Sequence, residues 1–467
     1  MPSKNSSDPC RLTVAELSQL LRDRKLSPVE LTTLCLDRIE RLNPILNAFV
    51  TVTADSALAQ AREAEVEIQK GRRRGPLHGV PLALKDLFDT AGVRTTAASA
   101  VFSDRVPNQD CEVVRRLKRA GAVLLGKLNM HEFAYGGSGV VSSFGPVRNP
   151  WSEEHIAGGS SSGSAAAVAA GMCYGALGTD TGGSIRLPAA YCGAVGLKPT
   201  YGRVSTRGVL PLSWSCDHVG PITRSVADAA LVLQAIAGHD PEDPGSVDVP
   251  VTDYSSALQQ TEPLRVGIPR AHFYEELDPE IESAMAAAIS QIGKMASDVR
   301  EVELPAASDT MVLRAEAYAY HFETVRKSPE LYHPDTLRRI RSGEEISAMD
   351  YIRARRAIEE HRRSIRTLFE SLDVLITPTT PVPATRIAEL LANMENLRSR
   401  EIVMLRNTRP FNALGLPTIS IPCGFTKMGL PIGMQITGAP WAEGMVLHVA
   451  HAYERQSDSH ARQPEVL

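Results

Sequence analysis

Residues Gly158–Thr200 read GGSSSGSAAAVAAGMCYGALGTDTGGSIRLPAAYCGAVGLKPT. Two serine-bearing glycine turns, Gly158-Gly159-Ser160 and Gly182-Gly183-Ser184, flank a segment of small residues that we predict to be helical. A flexible glycine–serine linker has no reason to carry the charged Asp180 and Arg186 beside an apolar run. Because a backbone can approach a ligand closely at glycine, and a serine there can attack it or pass on a proton, we expect the function to reside in this stretch.

The bulk composition is that of an ordinary soluble enzyme. The chain has 467 residues, of which 43% are hydrophobic and 22% are charged, which allows one to three domains with a buried core. Its net charge of −4 gives no electrostatic footprint for nucleic acid. We find neither an apolar run long enough to cross a membrane nor a secretory signal, and we expect a cytoplasmic protein without membrane or nucleic-acid partners. The seven cysteines are odd in number and widely spaced, which argues against a disulfide framework and a structural zinc site.

Local patterns predict alternating helices and strands. Thr13 with Glu16 fits a capping box, and Ser27-Pro28 with Glu30 supplies a second helix start. Further helices are predicted over Ala54–Lys70, Glu280–Lys294 and Ala348–Phe369, and buried strands at Val80–Leu84, Ala122–Leu125, Leu264–Ile268, Val374–Ile376 and Thr418–Ile421. The alternation predicts an α/β fold, a single compact domain whose central mixed β-sheet is covered by helices on both faces. The segment His239–Thr261 is predicted to be a linker or surface excursion.

Several common catalytic and ligand-binding motifs are incomplete. Gly121–Lys127 has the glycine and lysine frame of a phosphate-binding loop, but Leu128 replaces the residue that would hold magnesium. None of the 12 histidines falls in metal-ligand spacing, and no G-x-S-x-G nucleophile motif is present. We therefore expect no metal and no cofactor, and serine chemistry without an obvious histidine remains.

A lysine is the candidate base for that chemistry. A serine hydroxyl is weakly nucleophilic at neutral pH, and lysine can activate it only when burial or nearby positive charge lowers the lysine pKa. Lys85 fits this need because it ends the apolar run Val80–Leu84. Spacing alone equally allows a surface lysine that closes the strand beside Asp86.

The sequence resembles the amidase signature family over nearly the whole chain, from the first helix to Tyr453. The most specific match is the central segment, which in the family runs much like GGSS-G-S…GTD-GGSIR-P…CG-GLKP. The matching stretches are Gly158–Pro199, Gly79–Asp86, Gly126–Phe133, Asn149–Trp151 and Asn412–Pro417. One departure is Ser162, which stands where the family more often has glycine and leaves the candidate catalytic residues intact.

The resemblance implies a Ser–Ser–Lys triad. In it Ser184 is the nucleophile, Ser160 is the bridging serine and Lys85 is the base. The resemblance also implies a cis peptide bond between Gly159 and Ser160. It places the oxyanion hole at the backbone amides of the turn that carries the nucleophile, namely Thr181, Gly182, Gly183 and Ser184.

Three other residues near these motifs receive supporting roles. Asp180 and Arg186 flank the nucleophile, and we expect them to form a buried structural network that holds the turn, because buried charges are normally paired. Tyr135 stands where family members line the substrate pocket. A core tyrosine with a satisfied hydroxyl is the alternative at that position.

The implied activity is an amidase that hydrolyses the C–N bond of a small or aryl carboxamide through a serine acyl-enzyme, releasing a carboxylic acid and ammonia or an amine. A glutaminase (A) subunit of a tRNA-dependent amidotransferase and a ureido- or allophanate-type hydrolase stay open. The stretch Ala315–His321 is more similar to the stand-alone hydrolases. A non-enzymatic scaffold is disfavoured because all three triad positions are filled.

The implied organisation is one amidase domain over residues 1–467. We expect N-terminal helices over 1–70, a signature core over 75–230, a surface excursion over 239–261 and a variable region on the substrate side over 306–409. The expected partner is a small-molecule amide, and a homodimer is one alternative for the oligomeric state.

Overall fold

A large mixed β-sheet crosses the molecule. The computed structural model describes residues 9–259, 264–305 and 310–465. Within these ranges the strands are β1 Phe49–Val52, β2 Pro81–Lys85, β3 Val123–Leu128, β4 Arg148–Asn149, β5 Ser152–Ile156, β6 Gly175–Asp180, β7 Val195–Lys198, β8 His218–Thr223, β9 Leu264–Ile268, β10 Ala296–Glu301, β11 Val374–Pro378, β12 Thr418–Phe425 and β13 Pro431–Gly438. Eleven of the strands in the described residues form one sheet in the order β1-β3-β2-β6-β8-β7-β12-β13-β11-β9-β10, and β4 pairs with β5 apart from it.

Helices flank this sheet. They are α1 Val14–Arg22, α2 Pro28–Leu46, α3 Ala54–Gln69, α4 Glu112–Arg119, α5 Ser162–Ala169, α6 Arg186–Cys192, α7 Val226–Ile236, α8 Tyr254–Ala257, α9 Pro279–Gly293, α10 Thr310–Lys327, α11 Pro334–Arg341, α12 Ala348–Leu368, α13 Ile387–Leu391, α14 Leu397–Met404, α15 Arg409–Ala413 and α16 Glu443–Glu454. The predicted α/β class with a mixed sheet is confirmed. None of the helices in the described ranges combines the length and apolarity that a bilayer crossing requires.

The predicted helix starts are confirmed at atomic detail. Thr13 caps α1 and Ser27 caps α2, and in each case the carboxylate three residues later accepts a hydrogen bond from the N–H of the cap residue. Pro28 occupies the first turn of α2, where its missing N–H has no intrahelical partner to lose. Each such cap contributes about 1 kcal/mol to the stability of its helix.

Burial follows the position of each strand in the sheet. β2 runs parallel to both β3 and β6, and every residue of these three strands is buried. The pairings of β6 with β8 and of β12 with β13 are antiparallel, which makes the sheet mixed. At one end of the sheet β10 is mostly exposed and carries charged residues, which discourages pairing with another chain.

The small-residue segment between the two glycine turns differs from the predicted single helix. It folds as the short helix α5 followed by the buried strand β6. Gly171 has a φ of +67° just after α5, a conformation that ends the helix. Strand β6 then packs directly under α5, because a Cβ atom at Gly178 would lie only 2.8 Å from Ser161 Oγ. Small residues therefore permit a close helix–strand contact that local helix propensity does not reveal.

The segment predicted as a surface excursion is anchored to the core in its described part. Residues 260 and 261 of His239–Thr261 lie outside the described residues. Asp240 and Asp243 are buried, and they accept hydrogen bonds from Ser205 Oγ at 2.7 Å and from the Thr206 N–H at 2.6 Å.

Candidate active site

Three chain segments bring Lys85, Ser160 and Ser184 to one edge of the sheet. Lys85 ends β2, which runs parallel to β6 with Leu84 opposite Leu177. Ser160 lies just before α5, and Ser184 lies in the turn between β6 and α6. The carboxyl ends of parallel strands meet at the same edge of a sheet, where α/β proteins usually build their sites.

Hydrogen bonds connect these segments directly. Lys85 Nζ lies 2.7 Å from Ser160 Oγ and 2.8 Å from Thr179 Oγ1. The Ser161 N–H donates to the Ser184 carbonyl at 3.1 Å, so the backbone beside Ser160 holds the backbone of Ser184. The structure thus places the three predicted triad residues in one connected cluster, and all three are buried.

The environment of Lys85 favours its neutral form. The side chain is fully buried, and this burial lowers the pKa of Lys85 to about 7 although Asp180 and Asp217 act in the opposite direction. A substantial fraction of neutral amine is therefore present at neutral pH, as a general base requires. The sequence allowed Lys85 to be either buried or at the surface, and in the structure it is buried.

The backbone around Ser160 is closely packed. The peptide bond between Gly159 and Ser160 is cis, as the resemblance implies. A Cβ atom at Gly159 would lie 2.9 Å from the Gly139 N and 3.2 Å from the Gly136 carbonyl oxygen. Position 159 therefore has no room for a side chain. The unusual Ser162 adds no hydrogen bond from its Oγ within the described residues.

Asp180 and Arg186 hold the turn that carries Ser184. Arg186 Nε and Nη2 each lie 3.0 Å from a carboxylate oxygen of Asp180, and both side chains are fully buried. Asp180 also accepts from the N–H groups of Gly183 and Ile185 and from Asn412 Nδ2, at 2.7, 3.1 and 2.8 Å. Burial alone would raise the pKa of Asp180, but the Arg186 guanidinium holds it well below its usual range. These contacts are those of the structural network expected from the sequence.

The turn presents backbone N–H groups next to Ser184. The Gly183 N–H already donates to Asp180, whereas within the described residues the N–H groups of Thr181, Gly182 and Ser184 donate to no protein acceptor. Gly183 itself has a φ of +129°, and a Cβ atom there would lie 2.1 Å from Thr408 Oγ1. Only glycine fits this position.

Sequence reasoning missed two polar neighbours of the cluster. Thr179 is a hydrogen-bond partner of Lys85, and Asp217 accepts from Thr181 Oγ1 at 2.5 Å. Burial raises the pKa of Asp217 to about 7. A signal for Thr179 was its place in the Gly178-Thr179-Asp180 part of the motif, two residues from the turn. Asp217 carries no comparable local signal.

Tyr135 precedes Gly136, whose carbonyl oxygen lies close to Gly159. It follows a 3-10 turn, Glu132–Ala134, and is buried. The Arg398 guanidinium carbon is 5.7 Å from the centre of its ring, and its carbonyl accepts from Arg339 Nη1. The structure thus connects Tyr135 with residues of the region 306–409, and its role in lining a substrate pocket stays a prediction.

The described residues contain no cluster of His, Cys, Asp and Glu side chains arranged to hold a metal ion. The reacting groups that the geometry brings together are serine, lysine and backbone amides.

Known proteins resemble this chain over nearly its whole length. The family model Amidase matches residues 30–447. The chain is 43% identical to the A subunit of glutamyl-tRNA(Gln) amidotransferase from Moorella thermoacetica, across 97% of this chain and 98% of that protein. It is 44% identical to an amidase of Pseudomonas putida, across 98% of both. A solved chain from a vestigial protein complex, described as revealing the evolutionary origins of an s-triazine catabolic enzyme, superposes with a TM-score of 0.89 at 35% identity, covering 96% of this chain and 99% of that one. The resemblance drawn from the motifs is confirmed: the chain belongs to the amidase family and is an amidohydrolase.

Proposed function

We propose that the chain hydrolyses the C–N bond of a small or aryl carboxamide through an acyl-enzyme on Ser184. The observation that carries this proposal is the buried hydrogen bond of 2.7 Å between Lys85 Nζ and Ser160 Oγ. The amine has a pKa of about 7, and the Ser160 segment is tied to the Ser184 backbone. A serine next to such a base has the usual requirements of a nucleophile.

The proton transfer in this proposal runs through Ser160. Thr179 Oγ1 accepts one N–H of the neutral Lys85 amine, which leaves the nitrogen lone pair for Ser160. Ser160 Oγ gives its proton to Lys85 Nζ and takes the proton of Ser184 Oγ. The Ser184 oxygen then forms a bond to the amide carbonyl carbon.

The tetrahedral oxyanion that results needs hydrogen-bond donors. The N–H groups of Thr181, Gly182 and Ser184, which meet no acceptor in the part of the chain that the structure describes, are suited to this task. Each such donor is worth about 3–4 kcal/mol in the transition state. The proton on Lys85 returns through Ser160 to the amine nitrogen as the C–N bond breaks. A water molecule then attacks the ester of Ser184, and the carboxylic acid leaves.

A direct test is to assay the purified chain alone on aliphatic, aryl and ureido amides and on glutamine, with ammonia or amine release as the readout. We expect hydrolysis of at least one class of small amide, and Ser184→Ala should lose it while keeping the wild-type circular dichroism. Hydrolysis that persists in Ser184→Ala would refute the proposed nucleophile.

A second candidate is the glutaminase role within a tRNA-dependent amidotransferase. The 43% identity to the Moorella amidotransferase chain supports it. In the stretch Ala315–His321, Glu316 is buried and accepts hydrogen bonds from Ser213 Oγ at 2.6 Å and Tyr351 Oη at 2.8 Å, so its carboxylate is engaged within the protein. Glutaminase activity that appears only when partner subunits are added would favour this candidate over the stand-alone hydrolase.

We further propose that the chain forms one domain and that its region 306–409 determines substrate specificity. We also propose that the protein is cytoplasmic and that its substrate is a diffusible small molecule. The net charge of −4 supports the absence of a nucleic-acid partner. Sedimentation of the purified chain tests the homodimer.

A further inference from the structure

We propose that Arg398 and Arg409 form an anion-binding subsite beside Ser184, and that the preferred substrate is an amide or urea that also carries a carboxylate. This inference rests on the proposed function, since it takes Ser184 as the reacting group. In it, the two arginines favour substrates that carry a negative charge.

Arg409 lies against the turn that carries Ser184. A Cβ atom at Gly182 would lie 3.3 Å from Arg409 Cγ and 3.5 Å from Arg409 Nε. The preceding residue, Thr408, donates its hydroxyl to the Gly182 carbonyl at 2.7 Å. The start of α15 is therefore fixed to the turn two residues before the proposed nucleophile.

Arg398 lies against Tyr135, on a second chain segment. Its guanidinium contacts the ring of Tyr135, with 5.7 Å between the guanidinium carbon and the ring centre. Tyr135 immediately precedes Gly136, whose carbonyl oxygen would lie 3.2 Å from a Cβ atom at Gly159. Arg409 thus lies at the turn that carries Ser184, and Arg398 lies on Tyr135, next to the segment that packs against Gly159.

Neither arginine has a carboxylate partner among the described residues. Glu401, one turn along α14 from Arg398, already accepts from Ser138 Oγ and Arg339 Nη1, each at 2.6 Å. Arg409 Nε is buried and has no hydrogen-bond acceptor within the described residues. Burial and the neighbouring charges of Arg409 and Arg339 lower the pKa of Arg398 to about 10.

This pattern contrasts with the other buried arginines of the site. Arg186 is paired with Asp180, and Arg339 is paired with Glu401 and Asp335. Unpaired cations in a partly buried place are costly unless an anion joins them. The positive charge at this place is thus the complement of an anionic group on the ligand.

The chemistry of guanidinium identifies the class of ligand. Two planar guanidinium groups suit the two oxygens of a carboxylate, which they bind through parallel hydrogen bonds. Glu401 and Asp335 are engaged with Arg339, and the Glu132 carboxylate, three residues before Tyr135, accepts from Ser99 Oγ and the His333 N–H. An ammonium group next to the substrate carboxylate would therefore meet no available acid there, and we expect glutamine to be a poorer substrate than an amide with a carboxylate alone.

A matched pair of substrates tests the proposal. Succinamate and succinamide have the same carbon chain and the same reacting amide, and they differ in whether the far end is a carboxylate or a second amide. We expect kcat/KM for succinamate to exceed that for succinamide by at least about tenfold. Arg398→Gln and Arg409→Gln should each lower kcat/KM for succinamate by about 10- to 100-fold, and by about tenfold more than for succinamide. Arg398→Lys and Arg409→Lys should each retain more of the wild-type kcat/KM for succinamate than the corresponding glutamine variant.

Arg400→Gln is the matched control. Arg400 lies on α14 with Arg398, but its guanidinium is paired with the Glu389 carboxylate, at a distance of 2.6 Å. Its removal should leave the ratio of the two substrates unchanged. Circular dichroism and thermal unfolding of all variants separate a loss of fold from a loss of the subsite.

A binding measurement separates this inference from the proposed catalysis. Calorimetry on Ser184→Ala should give a dissociation constant for succinamate at least about tenfold lower than for succinamide. Equal binding of the two, or no binding of succinamate, overturns the anion subsite whatever the kinetics. If succinamate binds preferentially but the wild-type chain hydrolyses no amide, the proposed function fails and the subsite stands.

Discussion

The buried Lys85 amine has a consequence for stability that can be measured with Lys85→Met. A pKa displaced from 10.5 to about 7 corresponds to about 5 kcal/mol of free energy by which folding disfavours the charged amine. Methionine fills a similar volume without a charge and removes this cost. It also leaves Ser160 and Thr179 without their partner, at about 1 kcal/mol each. We therefore expect Lys85→Met to unfold with a free energy about 2–4 kcal/mol higher than the wild type at pH 7.

The sign of the pH dependence follows from proton linkage. Between pH 7 and 10.5 the unfolded chain binds a proton on Lys85 that the folded chain lacks, so the stability of the wild type rises with pH, by about 1.4 kcal/mol per pH unit from this group. The advantage of Lys85→Met should be greatest at pH 7 and below and should shrink towards pH 10. Wild-type kcat/KM should rise with pH around a midpoint near 7 as the amine loses its proton, and the variant should lack both the activity and this rise.

Urea unfolding at pH 7 and at pH 9.5 checks the stability, and Lys118→Met is the control. Lys118 pairs with Asp110 at the surface, with 42% of its side chain exposed. Its replacement should change the free energy of unfolding by less than about 0.5 kcal/mol at both values of pH. A Lys85→Met variant that is less stable than the wild type at pH 7, or whose difference does not depend on pH, would refute the assignment of Lys85 as a neutral buried base.

Three further substitutions test the turn that carries Ser184. Ser184→Ala should fold normally and lower kcat by at least about 10⁴-fold in an ammonia-release assay, and substantial remaining activity would count against the nucleophile. Gly183→Ala should lower the free energy of unfolding in urea by about 2–4 kcal/mol, because its φ is +129° and its Cβ would meet Thr408; wild-type stability would contradict this geometry. Arg186→Met should lower the free energy of unfolding by about 3–5 kcal/mol, because it leaves the buried Asp180 carboxylate without its ion-pair partner. A decrease of less than about 1 kcal/mol would disprove the proposed network.

Elements with strong local signals were predictable from the sequence. The capping boxes of α1 and α2 depend on residues three apart, and the structure has both. Leu264–Ile268 was predicted as a strand, and β9 has these bounds. Such strands are predictable because their β-branched and aliphatic residues are flanked by residues typical of turns.

Strand β6 could not be predicted from the sequence because its residues, GALGTD, have weak strand propensity. It is a strand because β2 and β8 pair with it on both sides, which no local pattern encodes. The same limit applies to the site. Thr179 is 94 residues from Lys85, and Thr408 is 226 residues from the Gly182 that it contacts. Motifs locate the reacting groups, whereas only the folded chain locates the residues that surround them.

The hydrogen bond from the Ser161 N–H to the Ser184 carbonyl has a consequence for how such an enzyme changes over evolution. Because this hydrogen bond joins two backbone groups, the main chain, and not the side chains around the substrate, fixes the distance between the Ser160 and Ser184 segments. Substitutions around the substrate, including those at Arg398 or Arg409, can therefore accumulate without that spacing having to be rebuilt. New substrates can be acquired one side chain at a time while the reacting pair stays in register.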